Sequence, residues 1–167
     1  DGLCSAYIHA DADIDTAVKV IVDSKTDYPA ACNSLETLLV HEDTLELVFP
    51  AVAAALLEKG VTLRFDPDSK SALTKTLPAE KSVQVQTATE SDYNTEFLDL
   101  VLAVKTSPST DPPIAAVEAA ITHINMHSSK HTEIILSRSK EAADMFMGGI
   151  DSAGVFWNAS TRFADGM

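Results

Sequence analysis

Basic residues, cysteine and long apolar runs are all scarce in this chain of 167 residues. Twelve lysines and arginines stand against 25 acidic residues, which gives a formal net charge of −13. That charge argues against nucleic acid or an anionic membrane as a partner, because a polyanion would be repelled. The longest apolar stretches, such as 48–57, are far shorter than the roughly 20 residues that cross a bilayer. No basic region precedes an apolar run near residue 1, so we expect a soluble chain without an export signal.

The two cysteines, Cys4 and Cys32, are too few for the disulfide framework of a small secreted protein. A reducing compartment, and therefore a cytoplasmic location, is the expectation. Apolar residues make up 46% of the chain, which suffices for one sizeable core. The length favours one globular domain over two.

Short apolar runs alternate with stretches of helical periodicity, and polar joints separate them. This alternation is typical of β-α units that stack into a sheet covered on both faces, so we predict an α/β fold, a three-layer sandwich with a mostly parallel sheet. Strands are predicted at 3–9, 36–41, 61–65, 83–87, 98–106, 132–136 and 153–157. Helices are predicted at 14–25, from Asp43 or Thr44 to 57, shortly after Pro67, at 114–127 and at 140–147.

The surroundings of Cys32 predict a turn. Tyr28-Pro29 ends the first helix, because proline cannot continue the hydrogen-bond ladder and restricts the residue before it. A second polar loop, 158–162, follows the last predicted strand. Ligands of parallel sheets collect beyond the carboxyl ends of the strands, so we expect both the Cys32 turn and this loop at that edge.

Three stretches, in this order, resemble one enzyme family. The opening GLCSAYIHADADIDTAVKVIVDSK resembles the aldehyde dehydrogenase segment in which a strand, an acidic cap and a helix lead to the catalytic cysteine. TDYPAACNSLETLLVH and DSAGVFWNASTRFADG are similar to the γ-glutamyl phosphate reductases within that superfamily. With the linking HINMHSSKHTEIIL, the resemblance covers nearly the whole chain.

The resemblance implies a catalytic domain of the aldehyde dehydrogenase type and a reaction of proline biosynthesis. A cysteine would form a thioacyl enzyme from γ-glutamyl phosphate, and NADPH would reduce it to glutamate 5-semialdehyde. Cys32 falls on the nucleophile, and Glu96 of TEFLDL falls on a glutamate that holds the nicotinamide ribose, although the usual E-x-F-G-P is only partly kept. The substrate-facing loop would supply Asn158, Ser160, Thr161 and Arg162. The parent protein would be a homo-oligomer.

The chain also departs from the family. Family members begin with a dinucleotide-binding domain and continue past FADG into dimerisation strands, and this sequence holds neither. We therefore expect residues 1–167 to be the catalytic domain alone, inactive and unable to bind NADPH in isolation. An engineered truncation, a gene fragment and a degraded reading frame would all fit.

Simpler interpretations stand beside these assignments. A cysteine near an apolar run is usually a small buried hydrophobe, which is the interpretation we favour for Cys4. Glu96 could be a solvated carboxylate at a strand edge, and Asn158 and Arg162 could hold their loop together through backbone hydrogen bonds. The alternatives at the level of function are an acylating aldehyde dehydrogenase for another acid and a non-catalytic association module.

Two clusters of possible metal ligands do not predict a metal site. His123, His127 and His131 lie four residues apart, but no carboxylate or cysteine completes their ligand set. The acidic residues 11, 13 and 15 resemble the start of a calcium loop without its glycine and bidentate glutamate. Helix capping explains this acidic cluster better.

Overall fold

A computed structural model describes residues 1–164 and forms an α/β sandwich. The strands are β1 (Cys4–Ile8), β2 (Leu35–His41), β3 (Thr62–Phe65), β4 (Val85–Thr87), β5 (Val101–Ser107), β6 (Thr132–Leu136) and β7 (Gly154–Trp157). The helices are α1 (Ile14–Thr26), α2 (Phe49–Glu58), α3 (Pro67–Thr74), α4 (Ala115–His127) and α5 (Lys140–Gly149). Residues 165–167 lie outside the described residues, and Asp165 and Gly166 are the end of the last stretch behind the resemblance.

The strands form one parallel sheet in the order β4-β3-β5-β2-β1-β6-β7. Alternate residues of each strand point to opposite faces, which divides the core in two. Ile8 packs on one face in a cluster with Ile21 of α1 and Phe49 of α2. Tyr7 packs on the other face in a cluster with Val117 of α4 and Phe146 of α5. The predicted three-layer α/β fold is confirmed.

Asp13 caps α1 as the acidic run predicts, because its carboxylate accepts a hydrogen bond from the backbone N–H of Thr16. The predicted start of α2 at Asp43 or Thr44 is wrong. Residues 42–44 form a 3₁₀ turn and α2 begins at Phe49. Pro50 explains the shift, since proline lacks the N–H that the first helical turn leaves unpaired.

Two strands begin more than one residue away from their predicted start. β5 begins at Val101 instead of residue 98, because Leu98 has φ 55° and cannot lie in an extended strand. A 3₁₀ segment, Ala79–Gln84, precedes β4 and shortens the strand predicted at 83–87. Among residues 1–164, no helix combines the length and the apolar character needed to span a membrane.

The expectation that Cys32 lies at the carboxyl edge of the sheet is wrong. The chain leaves the carboxyl end of β1 and returns through α1, so the turn that precedes β2 lies at the amino ends of the strands. The loop after β7 begins at the opposite edge, where the backbone N–H of Asn158 bonds to Ile135 O. It then runs back along the sandwich until Arg162 reaches Asn33 beside Cys32.

Candidate active site at the amino edge of the sheet

Cys32 lies at the centre of a tight turn with its side chain exposed. The turn is closed by a hydrogen bond of 3.0 Å from Ser34 N–H to Ala31 O, so Cys32 and Asn33 occupy the two central positions. The predicted turn is confirmed. Within residues 1–164, the backbone N–H groups of Cys32 and Asn33 have no acceptor, which leaves both donors available to a ligand.

The underside of the turn packs directly on β1. Gly2 lies so close that a Cβ on it would stand 1.7 Å from the carbonyl oxygen of Cys32. The same oxygen accepts a weak hydrogen bond from Cys4 Sγ at 3.4 Å. Burial raises the pKa of the Cys4 thiol, and Cys4 has no exposed surface, so the core interpretation of Cys4 is confirmed.

Arg162 braces the turn from the side. Its Nε donates to Asp27 Oδ2 at 2.9 Å and its Nη1 donates to Asn33 Oδ1, while Asn33 Nδ2 donates to Ala164 O at 2.8 Å. The guanidinium also lies 5.9 Å from the centroid of the Tyr28 ring. Arg162 therefore holds the residue next to Cys32, and its Nη2 has no acceptor in the described part of the chain.

A cleft of about 350 Å³ opens beside the turn. Cys32, Asn33 and Arg162 line one side, and Lys130 and His131, which precede β6, line the other. Among residues 1–164 its lining holds two basic side chains and a histidine against one carboxylate, that of Asp1. Both cations already contact a carboxylate, Arg162 that of Asp27 and Lys130 that of Asp151. An anion in the cleft would therefore bind to donors that these pairs leave over, such as Nη2 of Arg162, and not to an unpaired charge.

Glu96 lies along the same edge, in an adjoining depression of about 430 Å³ that shares Asp1 and Ser129 with the cleft. Its Oε1 accepts a hydrogen bond of 2.8 Å from Gly2 N–H. Its Oε2 has no partner among the described residues, so the carboxylate could accept bonds from the hydroxyls of a ribose. The contact of Glu96 with a nicotinamide ribose stays a prediction.

The other predicted loop residues lie away from Cys32. Asn158 has φ 52° and bonds to the backbone N–H and O of Ser137 at 3.1 and 3.0 Å, at the carboxyl edge. Ser160 is buried and accepts a bond of 3.2 Å from Ser24 Oγ, and Thr161 is also buried. Of the four loop residues predicted to face the substrate, Arg162 reaches the cleft. The contacts of the other three favour a bracing role, and their contact with substrate stays a prediction.

The histidines separate in the structure. His131 lines the cleft, with its Nδ1 2.8 Å from Thr132 Oγ1. His123 and His127 stack on α4 with their ring centroids 4.3 Å apart, and His127 contacts Asn94. Burial lowers the pKa of His123 to about 4.

A buried glutamate beneath the cleft escaped prediction. Glu133 on β6 accepts a bond of 2.7 Å from Ser5 N–H, a bond of 3.2 Å from Ser152 Oγ, and a further bond from Ser128 Oγ. Burial raises its pKa to about 8 and outweighs these hydrogen bonds. A glutamate flanked by the apolar residues of a buried strand was the available signal, because such carboxylates occur inside proteins only with partners.

Replacing Glu133 with glutamine is expected to flatten the pH dependence of stability. The folded state holds the proton of Glu133 more tightly than the unfolded chain, whose ordinary pKa is 4.5. The stability from this group is therefore complete below pH 4.5 and is lost as the pH rises towards 8, by on the order of a few kcal/mol. Urea unfolding of both proteins between pH 5 and 8.5 measures the difference. Glu58→Gln, at an exposed glutamate, is the control and should keep the wild-type slope.

Comparisons with known proteins agree on one family, although no family model matches the chain. A probable γ-glutamyl phosphate reductase of Schizosaccharomyces pombe is 52% identical over 165 residues, which is 99% of this chain and 35% of that protein. The γ-glutamyl phosphate reductase of Synechococcus elongatus is 48% identical over 166 residues, again 99% of this chain and 35% of the relative. The chain thus spans about a third of the length of the curated relatives it matches.

Solved structures lead to the same enzyme. The γ-glutamyl phosphate reductase of Thermotoga maritima superposes with a TM-score of 0.82 at 36% identity, covering 97% of this chain and 35% of that one. The Saccharomyces cerevisiae reductase gives 0.78 at 37% identity, over 99% of this chain and 38% of that one. An acetylating aldehyde dehydrogenase of Geobacillus thermoglucosidasius, at 21% identity and a TM-score of 0.68, shows the shared fold alone. The chain belongs to the γ-glutamyl phosphate reductase family, with the aldehyde dehydrogenase-type fold, as a segment that corresponds to about one third of its relatives.

Proposed function

We propose that residues 1–167 are the cysteine-bearing catalytic domain of an NADPH-dependent γ-glutamyl phosphate reductase in proline biosynthesis. The observation that carries the proposal is an exposed cysteine on a turn, in a cleft that is also lined by Arg162, Lys130 and His131. An acyl phosphate matches both features, since its carbonyl carbon accepts a thiolate and its phosphate is an anion.

In the first step the thiolate of Cys32 attacks the acyl carbon of γ-glutamyl phosphate. A sulfur–carbon bond forms, the carbon–oxygen bond to phosphate breaks, and phosphate departs with the bonding pair. The free N–H groups of Cys32 and Asn33 suit the oxyanion that develops on the carbonyl oxygen, an effect worth about 3 to 4 kcal/mol per donor. His131, Lys130, whose Nζ also contacts Asp151, and the Nη2 of Arg162, which has no acceptor among residues 1–164, would stabilise the departing phosphate.

The cofactor contact proposed for this chain is that of Glu96, whose free Oε2 would bind the nicotinamide ribose. NADPH would supply a hydride to the thioester carbon, and the carbon–sulfur bond would break, so that glutamate 5-semialdehyde is released and Cys32 returns to its thiolate. This chain's part in that step is to hold the thioester on Cys32 and to keep its carbonyl oxygen against the turn amides. Other cofactor contacts would come from the dinucleotide-binding domain of the complete protein. Two cysteines without a disulfide fit a reducing compartment, so the proposal includes the cytoplasm.

The test places this chain in a complete enzyme. The segment-exchange reductase is the Schizosaccharomyces pombe relative in which this chain replaces the segment that it matches. We expect it to reduce NADP⁺ with glutamate 5-semialdehyde, and only when phosphate is present, since phosphate must cleave the thioester in this direction. Equal activity with acetaldehyde would favour an acylating dehydrogenase for another acid. A folded but inactive reductase would contradict the proposal and favour a non-catalytic module.

The isolated chain is expected to show no measurable NADPH binding in a fluorescence titration. The physical reason is that the described residues offer the nucleotide a ribose contact at Glu96 and little beyond it. Binding at micromolar concentrations would contradict this expectation. The homo-oligomeric state of the parent protein stays a prediction, and sedimentation of the segment-exchange reductase would test it.

A further inference from the structure

A buried ion pair lies between the cysteine turn and the segment that carries Glu96. Lys25, in the last turn of α1, and Glu36, the second residue of β2, have no exposed side-chain surface. Lys25 Nζ lies 3.3 Å from Glu36 Oε2 and also donates to Leu35 O at 2.8 Å. Burial lowers the pKa of Lys25 and raises that of Glu36, so the core tolerates neither charge alone.

The carboxylate of Glu36 also binds a distant part of the chain. Its Oε2 accepts a hydrogen bond of 3.1 Å from Phe97 N–H, and its Oε1 accepts one of 3.3 Å from Leu98 N–H. Leu98 has φ 55°, in the left-handed region that leucine rarely adopts. Glu36 therefore holds residues 97 and 98 in a backbone conformation that their own sequence does not favour.

Glu96 directly precedes this held segment. Its Oε1 reaches Gly2 N–H at 2.8 Å, and Gly2 packs against the carbonyl of Cys32. Glu36 contacts Lys25 on one side and the segment next to Glu96 on the other, so the ion pair is connected to the residue proposed to bind the cofactor. Neither residue of the pair lines the cleft or the adjoining depression.

We propose that Lys25 and Glu36 are a positioning pair that holds the Glu96 carboxylate at the right place beside the Cys32 turn. The inference rests on the proposed function, because it assigns Glu96 to the cofactor. Lys25 favours the ionised form of the Glu36 carboxylate against the effect of burial and orients it, and Glu36 in turn fixes the backbone that follows Glu96. Stability alone does not account for this pair, since apolar replacements of buried ion pairs are often neutral or stabilising.

The experiment measures three quantities in the segment-exchange reductase: NADPH affinity by fluorescence, phosphate release in a single turnover without NADPH, and the urea midpoint of unfolding. Glu36→Gln, which keeps one acceptor oxygen, should weaken NADPH binding about tenfold. Lys25→Met with Glu36→Gln removes both charges, leaves no buried charge unpaired and keeps one acceptor oxygen, so it should weaken NADPH binding at least as much while the urea midpoint changes little. Phosphate release should change by less than about threefold, since the bond from Ser34 N–H to Ala31 O and the contact of Arg162 with Asn33 hold the Cys32 turn without Glu96.

Two controls separate the possible failures. Glu46→Gln alters an exposed ion pair with Lys75 of similar length, 3.4 Å, and should leave all three quantities unchanged. Glu96→Gln should weaken NADPH binding at least as much as Glu36→Gln does. If Glu96→Gln has no effect, the assignment of Glu96 within the proposed function is wrong.

If Glu96→Gln weakens binding but Glu36→Gln does not, the positioning role is wrong. A loss of NADPH affinity that only parallels a loss of stability would also overturn it. Should Glu36→Gln fail to fold because the Lys25 charge is left unpaired, Lys25→Met with Glu36→Gln decides the question, because it leaves no buried charge and glutamine has nearly the shape of glutamate.

Discussion

Replacing Cys32 with alanine is expected to abolish thioacyl formation in the segment-exchange reductase. The exposed sulfur of Cys32 is the proposed nucleophile, and removing a covalent nucleophile typically costs roughly 10⁴-fold or more in rate. Serine is expected to fail as well, because its hydroxyl stays protonated at neutral pH and no described residue is hydrogen-bonded to the Cys32 side chain as a base. Phosphate release from γ-glutamyl phosphate in a single turnover, with mass spectrometry of the enzyme, measures the effect.

Cys4 provides the matched control, since it is the other cysteine and lies fully buried under the same turn. Cys4→Ala should keep the thioacyl adduct, with a loss of stability of roughly 1 kcal/mol for the small cavity. The adduct should then map to the peptide that contains Cys32. An adduct that persists in Cys32→Ala would remove the nucleophile from this turn and the proposed function with it.

Replacing Gly2 with alanine is expected to produce the second large loss. The added Cβ would stand 1.7 Å from Cys32 O and 2.4 Å from the carbonyl carbon, and both are backbone atoms that no rotamer change can move. The turn must therefore shift as a unit, which also displaces its free N–H groups. A misplacement of about 1 Å in a reacting group can cost about 100-fold in rate.

Phosphate release by the segment-exchange reductase measures this loss, and the rate of Cys32 alkylation by iodoacetamide reports the turn directly. Gly148→Ala is the control, because nothing lies within 4 Å of its Cβ position inside α5. This change should leave the activity intact and stabilise the helix by about 0.5 to 1 kcal/mol. Wild-type phosphate release and alkylation in Gly2→Ala would show that the close approach at Gly2 has no part in placing the nucleophile.

Much of the local structure follows from neighbours along the chain. Tyr28-Pro29 ends α1 and leaves Cys32 on a turn, and Asp13 caps α1, because proline geometry and side-chain capping act over a few residues. The error at α2 belongs to the same class. Pro50 marks the first turn of α2, but Asp43 and Thr44 are typical N-cap residues and led to a predicted helix start that is too early.

The sequence analysis placed Cys32 at the carboxyl edge of the sheet, whereas the structure places it at the amino edge. The rule that ligands gather at carboxyl ends concerns loops that follow strands, whereas Cys32 follows α1 and precedes β2. The alternation of strand and helix already contained this answer, since a helix that joins parallel strands returns the chain to their amino ends.

The sequence by itself determined the α/β alternation, the turn at Cys32 and, through resemblance, the enzyme family. Only the tertiary structure decided that Arg162 braces the turn while Asn158 binds Ser137, that Gly2 lies under Cys32, and that Glu36 reaches residues 97 and 98. The physical reason is the separation along the chain of the residues that interact. Caps, turns and periodicity act between near neighbours, whereas a buried charge or a close backbone approach has meaning only once distant segments have packed together.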